Sequence, residues 1–278
     1  MLISSENKAV FEKDGVVVLK GFYDVDEEIV PIQRAIYEIL GLIICKYKLN
    51  IEQSEFCPES FDACYNEVVA VDRSYGGEVY DAVKQIPAFL RLISSKRSEQ
   101  LFAELRQTDL VGIGKASYGI RIDHPNEDQF RSQWHQEFLF QPQSIDGTVL
   151  WTPLVPVKAD MGPVIVCQGS HKDGLRKCRK HGKYSDKAGA YKVGLADEKE
   201  VIDSYNQSAP LTNPGDLIIM DYLTIHQSGI NVSDRCRWSI QSRFFNFRDP
   251  AGINIGWKPS VTVGTDIEDI FSEYFCEE

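Results

Sequence analysis

The sequence predicts an α+β fold in which helices come first and a barrel or jelly roll of antiparallel strands follows. Three observations carry this. Apolar residues recur at helical spacing up to about residue 106, and short β-branched segments broken by Gly, Pro, Asn and Asp take over from about 108. The chain is also long enough, at 278 residues and 43% hydrophobic, to bury one large core. No repeat, low-complexity tract or interdomain linker interrupts it. The expectation is one domain over 1–278, with a helix-rich part at 1–106, a barrel core at 107–250 and a C-terminal extension at 251–278.

The elements follow in order. Residues 15–21 form a β-branched run bounded by glycines, a short strand. Asp26, Glu27 and Glu28 place acids at a helix start, and Ile29, Ile32, Ile36, Ile39, Leu40 and Ile43 continue it. Helical pattern returns over about 78–106, broken or kinked at Pro87. Strands are expected over Val111–Ile113, Ser117–Ile122, Glu137–Phe140, Thr148–Leu154, Val164–Val166, Leu217–Asp221 and Arg237–Phe245.

Composition narrows the function. A net charge of −11 argues against a nucleic-acid or anionic-membrane surface. No apolar run approaches the roughly 20 residues that span a bilayer, and the N-terminal residues lack the basic start and apolar block of a secretory signal. Seven scattered cysteines without a Cys-x-x-Cys pair fit reduced thiols in the cytoplasm. Segment 171–192 departs from the acidic whole with a local excess of six positive charges. It reads either as a solvated loop or as a lid attracting an anionic small-molecule substrate.

His135 and Glu137 are two positions apart, and in extended chain both side chains point to one side, with Gln136 on the other. A His-x-Glu triplet alone is weak. Asn213-Pro214-Gly215-Asp216 signals a turn into the apolar run Leu217–Met220, and His226 follows close behind. Arg237 comes eleven residues after His226, a fixed cation able to grip a carboxylate with two parallel hydrogen bonds. Two imidazoles and one carboxylate on one face of a metal leave positions open, the arrangement of non-haem Fe(II) oxygenases.

Four stretches carry a resemblance to a family: Trp134-His135-Gln136-Glu137, Val149-Leu150-Trp151-Thr152, Gln168-Gly169-Ser170-His171-Lys172, and His226-Gln227-Ser228-Gly229-Ile230-Asn231 running on to Arg237-Trp238. The chain resembles the phytanoyl-CoA dioxygenase family of Fe(II)/2-oxoglutarate-dependent oxygenases, most sharply over about 130–245. The resemblance implies a double-stranded β-helix, a jelly-roll barrel with Fe(II) held by His135, Glu137 and His226. Arg237 would pair with the distal carboxylate of 2-oxoglutarate and Ser228 would add a hydrogen bond. Gln136, Trp151 and Tyr118 would line the co-substrate pocket, and O2 would be the oxidant. Glu137 stands where the family usually has Asp, which moves the carboxylate by one methylene. A differently metallated cupin-like isomerase, or a barrel that binds small molecules without oxidising them, remains the alternative. His124, His171 and His181 sit in polar, turn-like surroundings and are expected at the surface.

Overall fold

The computed structural model describes residues 1–180, 193–265, 267–274 and 276. A polar helix, α1 (Ser5–Asp14), is capped by the Ser4 side chain and stopped by Gly15 in the left-handed region. It leads into β1 (Val16–Leu19). The Ile periodicity forms α2 (Val30–Tyr47), entered through a single π-helical turn at Val25–Ile29. The helical pattern before residue 106 divides into α3 (Tyr65–Val71), α4 (Arg73–Val83), α5 (Pro87–Ile93) and α6 (Lys96–Arg106). Pro87 starts α5 rather than kinking a longer helix, because its missing N–H costs nothing in a first turn.

The strands are β2 (Val111–Ile113), β3 (Gly119–Asp123), β4 (Gly147–Pro153), β5 (Val164–Cys167), β6 (Cys178–Lys180) and β7 (Val193–Leu195). After the short helix α7 (Glu198–Asp203) come β8 (Gln207–Ser208), β9 (Leu217–Asp221), β10 (His226–Ser228) and β11 (Arg237–Asn246). The C-terminal part holds α8 (Pro250–Ile255) and α9 (Ile267–Phe271). The expected strand at Glu137–Phe140 is instead a 3-10 turn at Glu137–Leu139, closed by Phe140 N–H donating to Glu137 O. This turn directs the chain away immediately after Glu137.

The larger sheet runs β1-β9-β4-β11-β2 with β3 also on β11, and every pairing is antiparallel. A smaller antiparallel sheet runs β10-β5-β8. Alternation along the strands divides the residues between two cores. Leu150, Ile219, Trp238, Ile240 and Phe244 join Ile32, Ile36, Leu40, Phe61, Tyr65 and Phe102 in a core between sheet and helices. Trp238 lies edge-on to Phe61 and Tyr65, 5.6 and 4.7 Å between ring centroids. Val149, Trp151, Ile218 and Met220 point the other way and pack with Val164 and Val166 of the smaller sheet. Phe271 and the partly buried Val261 close that second core from the C-terminal part. No helix among the described residues is long and apolar enough to cross a membrane.

The loop before β5 and the turn after β10 touch at two glycines. Gly162 has φ +65°, and a Cβ there would lie 2.4 Å from the Gly229 carbonyl oxygen. A side chain would thus meet both backbone strain and a rigid neighbour. We expect Gly162→Ala to cost about 2–4 kcal/mol, measured by urea denaturation; a change under about 0.5 kcal/mol would show that the contact relaxes freely.

Candidate metal centre and cavity

The metal motif is assembled by backbone pairing. His135 N–H donates to His226 O at 3.0 Å and His226 N–H to His135 O at 3.1 Å, an isolated antiparallel bridge that sets the two imidazoles side by side. Gln136 is extended, so Glu137 returns to the face of His135 before the 3-10 turn begins. One ligand atom from each of His135, Glu137 and His226 lies within 4.8 Å of the others. Glu137 Oε2 is 3.7 Å from each of the two Nε2 atoms.

The donor set fits a divalent ion. His226 Nδ1 faces Thr224 O at 2.9 Å and His135 Nδ1 faces Gln133 O at 2.7 Å. A carbonyl only accepts, so each ring carries its proton on Nδ1 and turns a lone pair from Nε2 toward Glu137. Burial, with His135 adding to it, pushes His226 down to about 3. The imidazole is therefore neutral and able to ligate near neutral pH. Burial alone would raise the Glu137 carboxyl, but the Arg243 guanidinium leads the influences that outweigh it and hold it well below the ordinary range.

The triad stands in the wall of a cavity of about 690 Å³. Val149, Trp151, Val164 and Met220 give it an apolar floor, and Ser228, Gln227 and Gln241 give it polar walls. Tyr80 and Lys84 from the end of α4, with Tyr118 and Val261–Val263, complete the lining. Trp151 thus lies in the wall, its Nε1 buried without a hydrogen-bond partner. Tyr118 is there too, though 37% exposed rather than buried.

Three expectations need correction. Gln136 does not line the cavity: its Nε2 donates to Gly174 O and Leu223 O, and its Oε1 accepts from Arg176 N–H. The extended backbone that aims His135 and Glu137 inward sends Gln136 outward, where it fastens the 174–176 loop. Arg237 is fully buried behind the wall rather than in it. It pairs with Asp123 at 2.8 Å, donates to Ser228 Oγ at 3.1 Å, and also donates to Gly162 O. Ser228 is the group of that set facing the cavity. Third, His124 is not at the surface but buried against Tyr65 and Cys236.

His171 orders the loop beside α1, with Nε2 3.3 Å from Glu12 O, whereas His181 lies outside the described residues. So does 181–192 of the basic segment, and its described cations do not line the cavity. Among the described residues the cations that do are Lys84, Arg121 and Arg243. Arg243 is the functional residue that motif reading missed. It shares the inward parity of β11 with Arg237 and Gln241, and its Nε donates to Glu137 Oε1 at 2.9 Å. Strand alternation counted through to 243 would have found it.

The profile of the phytanoyl-CoA dioxygenase (PhyH) family matches residues 11–239. A search of curated protein sequences gives no match. Among solved structures, EctD from S. alaskensis with 2-oxoglutarate and 5-hydroxyectoine is similar with TM-score 0.57 and 16% identity, over 88% of this chain and 77% of that one. The epimerase SnoN from nogalamycin biosynthesis, in complex with Fe3+, alpha ketoglutarate and nogalamycin RO, gives 0.56 and 17%, over 94% and 91%. SnoK, a non-heme alpha ketoglutarate dependent carbocyclase from nogalamycin biosynthesis, gives 0.55 and 13%, over 93% and 92%. At these identities the likeness is one of fold.

The low value of His226 has a consequence for the metal-free protein. Its folded value lies below its ordinary 6.5, so the unfolded chain binds the proton first as pH falls. This contribution to stability is full above about 6.5 and is lost progressively toward 3. We expect the unfolding free energy of metal-free protein to fall across that window, with His226 contributing up to about 1.4 kcal/mol per pH unit. His226→Gln should flatten the slope in urea melts; identical slopes would refute the assignment. The match over residues 11–239, with the His135, Glu137 and His226 cluster inside it, establishes that this chain belongs to the phytanoyl-CoA dioxygenase family.

Proposed function

We propose that the protein is an Fe(II)- and 2-oxoglutarate-dependent dioxygenase on a double-stranded β-helix scaffold, hydroxylating a small anionic molecule. One observation carries the reading: two imidazole nitrogens with fixed tautomers and one carboxylate oxygen converge at the wall of a large cavity. EctD with 2-oxoglutarate and SnoN with Fe3+ and alpha ketoglutarate support the cofactor pair. Bound Fe(II) with 2-oxoglutarate supplies the activation of dioxygen, with succinate and carbon dioxide released.

The chain's own residues bind, orient and exclude water. His135, Glu137 and His226 hold the metal. Ser228 receives the distal carboxylate of 2-oxoglutarate at the cavity surface, and Arg237 behind it supplies the positive charge, with Asp123 as its resting partner. In so dry a position that charge acts with little screening. Trp151 and Met220 keep the floor apolar.

The cavity also favours an anion. Among its described lining residues Glu137 is the only acid, against Lys84, Arg121 and Arg243. Arg131 takes Gln227 Oε1 at 3.3 Å and Arg243 takes Gln241 Oε1 at 2.7 Å. Arginine only donates, so each glutamine is left presenting its NH2 group. A wall of donors suits an acceptor-rich acid. SnoN and SnoK, an epimerase and a carbocyclase, support a second reading in which the outcome at the same site is other than hydroxylation. The core shared by helices and larger sheet supports one domain over 1–278. The seven unbridged cysteines support a reducing, cytoplasmic setting.

Anaerobic titration with Fe(II) and 2-oxoglutarate tests the cofactors through the visible charge-transfer band. We expect a saturable band that His135→Ala abolishes, and an affinity for 2-oxoglutarate that Arg237→Ala lowers about tenfold or more. No band from folded wild type sinks the proposal. In a screen that reads succinate formation, acids and phosphates should stimulate turnover and neutral polyols should not. Stimulation by the neutral set alone would reject the anionic class.

A further inference from the structure

We infer that Arg243 is a positioning residue that confines Glu137 to binding metal through one oxygen, keeping coordination positions open for 2-oxoglutarate and dioxygen. This rests on the metal reading above. Glu137 Oε1 accepts the Arg243 Nε–H at 2.9 Å, whereas Oε2 lies 3.7 Å from each ligating imidazole nitrogen. The two oxygens therefore have separate partners. One faces the metal position and the other is capped by a cation.

The cap matters because a carboxylate can ligate through one oxygen or two, and the second mode takes a further position on the ion. A facial triad needs those positions free. Glutamate has one more rotatable bond than aspartate and so can turn its carboxylate edge-on to the metal more readily. Arg243 opposes that turn because it is itself fixed. Its Nη2 donates to Gln241 Oε1 at 2.7 Å, its Nη1 reaches Ser117 O at 3.5 Å, and its backbone is registered against Val149 on β4. The Arg243 and Glu137 side chains are 16% and 3% exposed, so water competes little for the bond. A guanidinium beside a divalent ion also repels it, which makes orientation, and not metal affinity, the signature to measure.

Water-proton relaxation of the full chain loaded with Mn(II) reads the open positions directly. With Mn(II) saturating, we expect Arg243→Met to lower relaxivity per bound ion by about one third, as one of three waters is displaced. The Kd for 2-oxoglutarate, followed by the same signal, should rise about tenfold or more. Arg243→Lys, which still offers a charged donor, should recover part of both. If Arg243→Met does not fold, Gln241→Leu loosens the same guanidinium and should shift both readouts in the same direction. Wild-type relaxivity and 2-oxoglutarate affinity in the folded variant would overturn the inference and leave the metal site standing. A wild type that holds no Mn(II) would overturn both.

Discussion

The site depends on one pair of reciprocal backbone hydrogen bonds, between His135 and His226. They join segments distant in sequence at the edge of the smaller sheet, where β10 is already paired to β5. Because the bridge is made by main-chain groups, it fixes the imidazoles without relying on their own chemistry. Thr224 O and Gln133 O then select the tautomers. The extended Gln136 between His135 and Glu137 brings the carboxylate to the same face and anchors the backbone on the other. The residue that fails as a pocket wall is thus a support for His135 and Glu137.

Around the bridge, buried charge is matched locally. Glu137 is held by Arg243, Asp123 by Arg121 and Arg237, and Asp221 by Arg106. An unpaired charge at any of these places would be costly, because the surrounding protein cannot solvate it. The pairing has functional weight as well. Two arginines share Asp123, leaving a net positive charge at the end of the cavity where Ser228 emerges. Lys84, which also lines the cavity, adds to it. In a chain of net charge −11 the cavity is a local exception.

The two glycines at 162 and 229 tie fold to site. Their close approach brings the Gly162 carbonyl to the Arg237 guanidinium and places Ser228 at the turn. The C-terminal part, which sequence patterns left unassigned, supplies Val261 and Thr262 to the cavity and Phe271 to the core behind it. It is therefore part of the wall and not a mere appendage.

The sequence by itself determined that helices precede strands, that His135, Glu137 and His226 are the candidate ligand set, and the family. Each depends on local spacing: 3.6-residue periodicity in α2, β-branched runs in β9 and β11, and a His-x-Glu triplet read through extended backbone. Sequence could not show that Glu137 opens a 3-10 turn, since that turn is closed by backbone bonds and flanked by side chains of strand-like composition. Alternation already put Gln136 on the face opposite His135 and Glu137, but sequence could not place Arg237 behind Ser228, because that outcome depends on Asp123 and Gly162, each more than thirty residues from Arg237. Arg243 was legible in parity but not in role. Only the tertiary structure brings it against Glu137, by the register of β11 on β4, and it is such long-range register that no local pattern encodes.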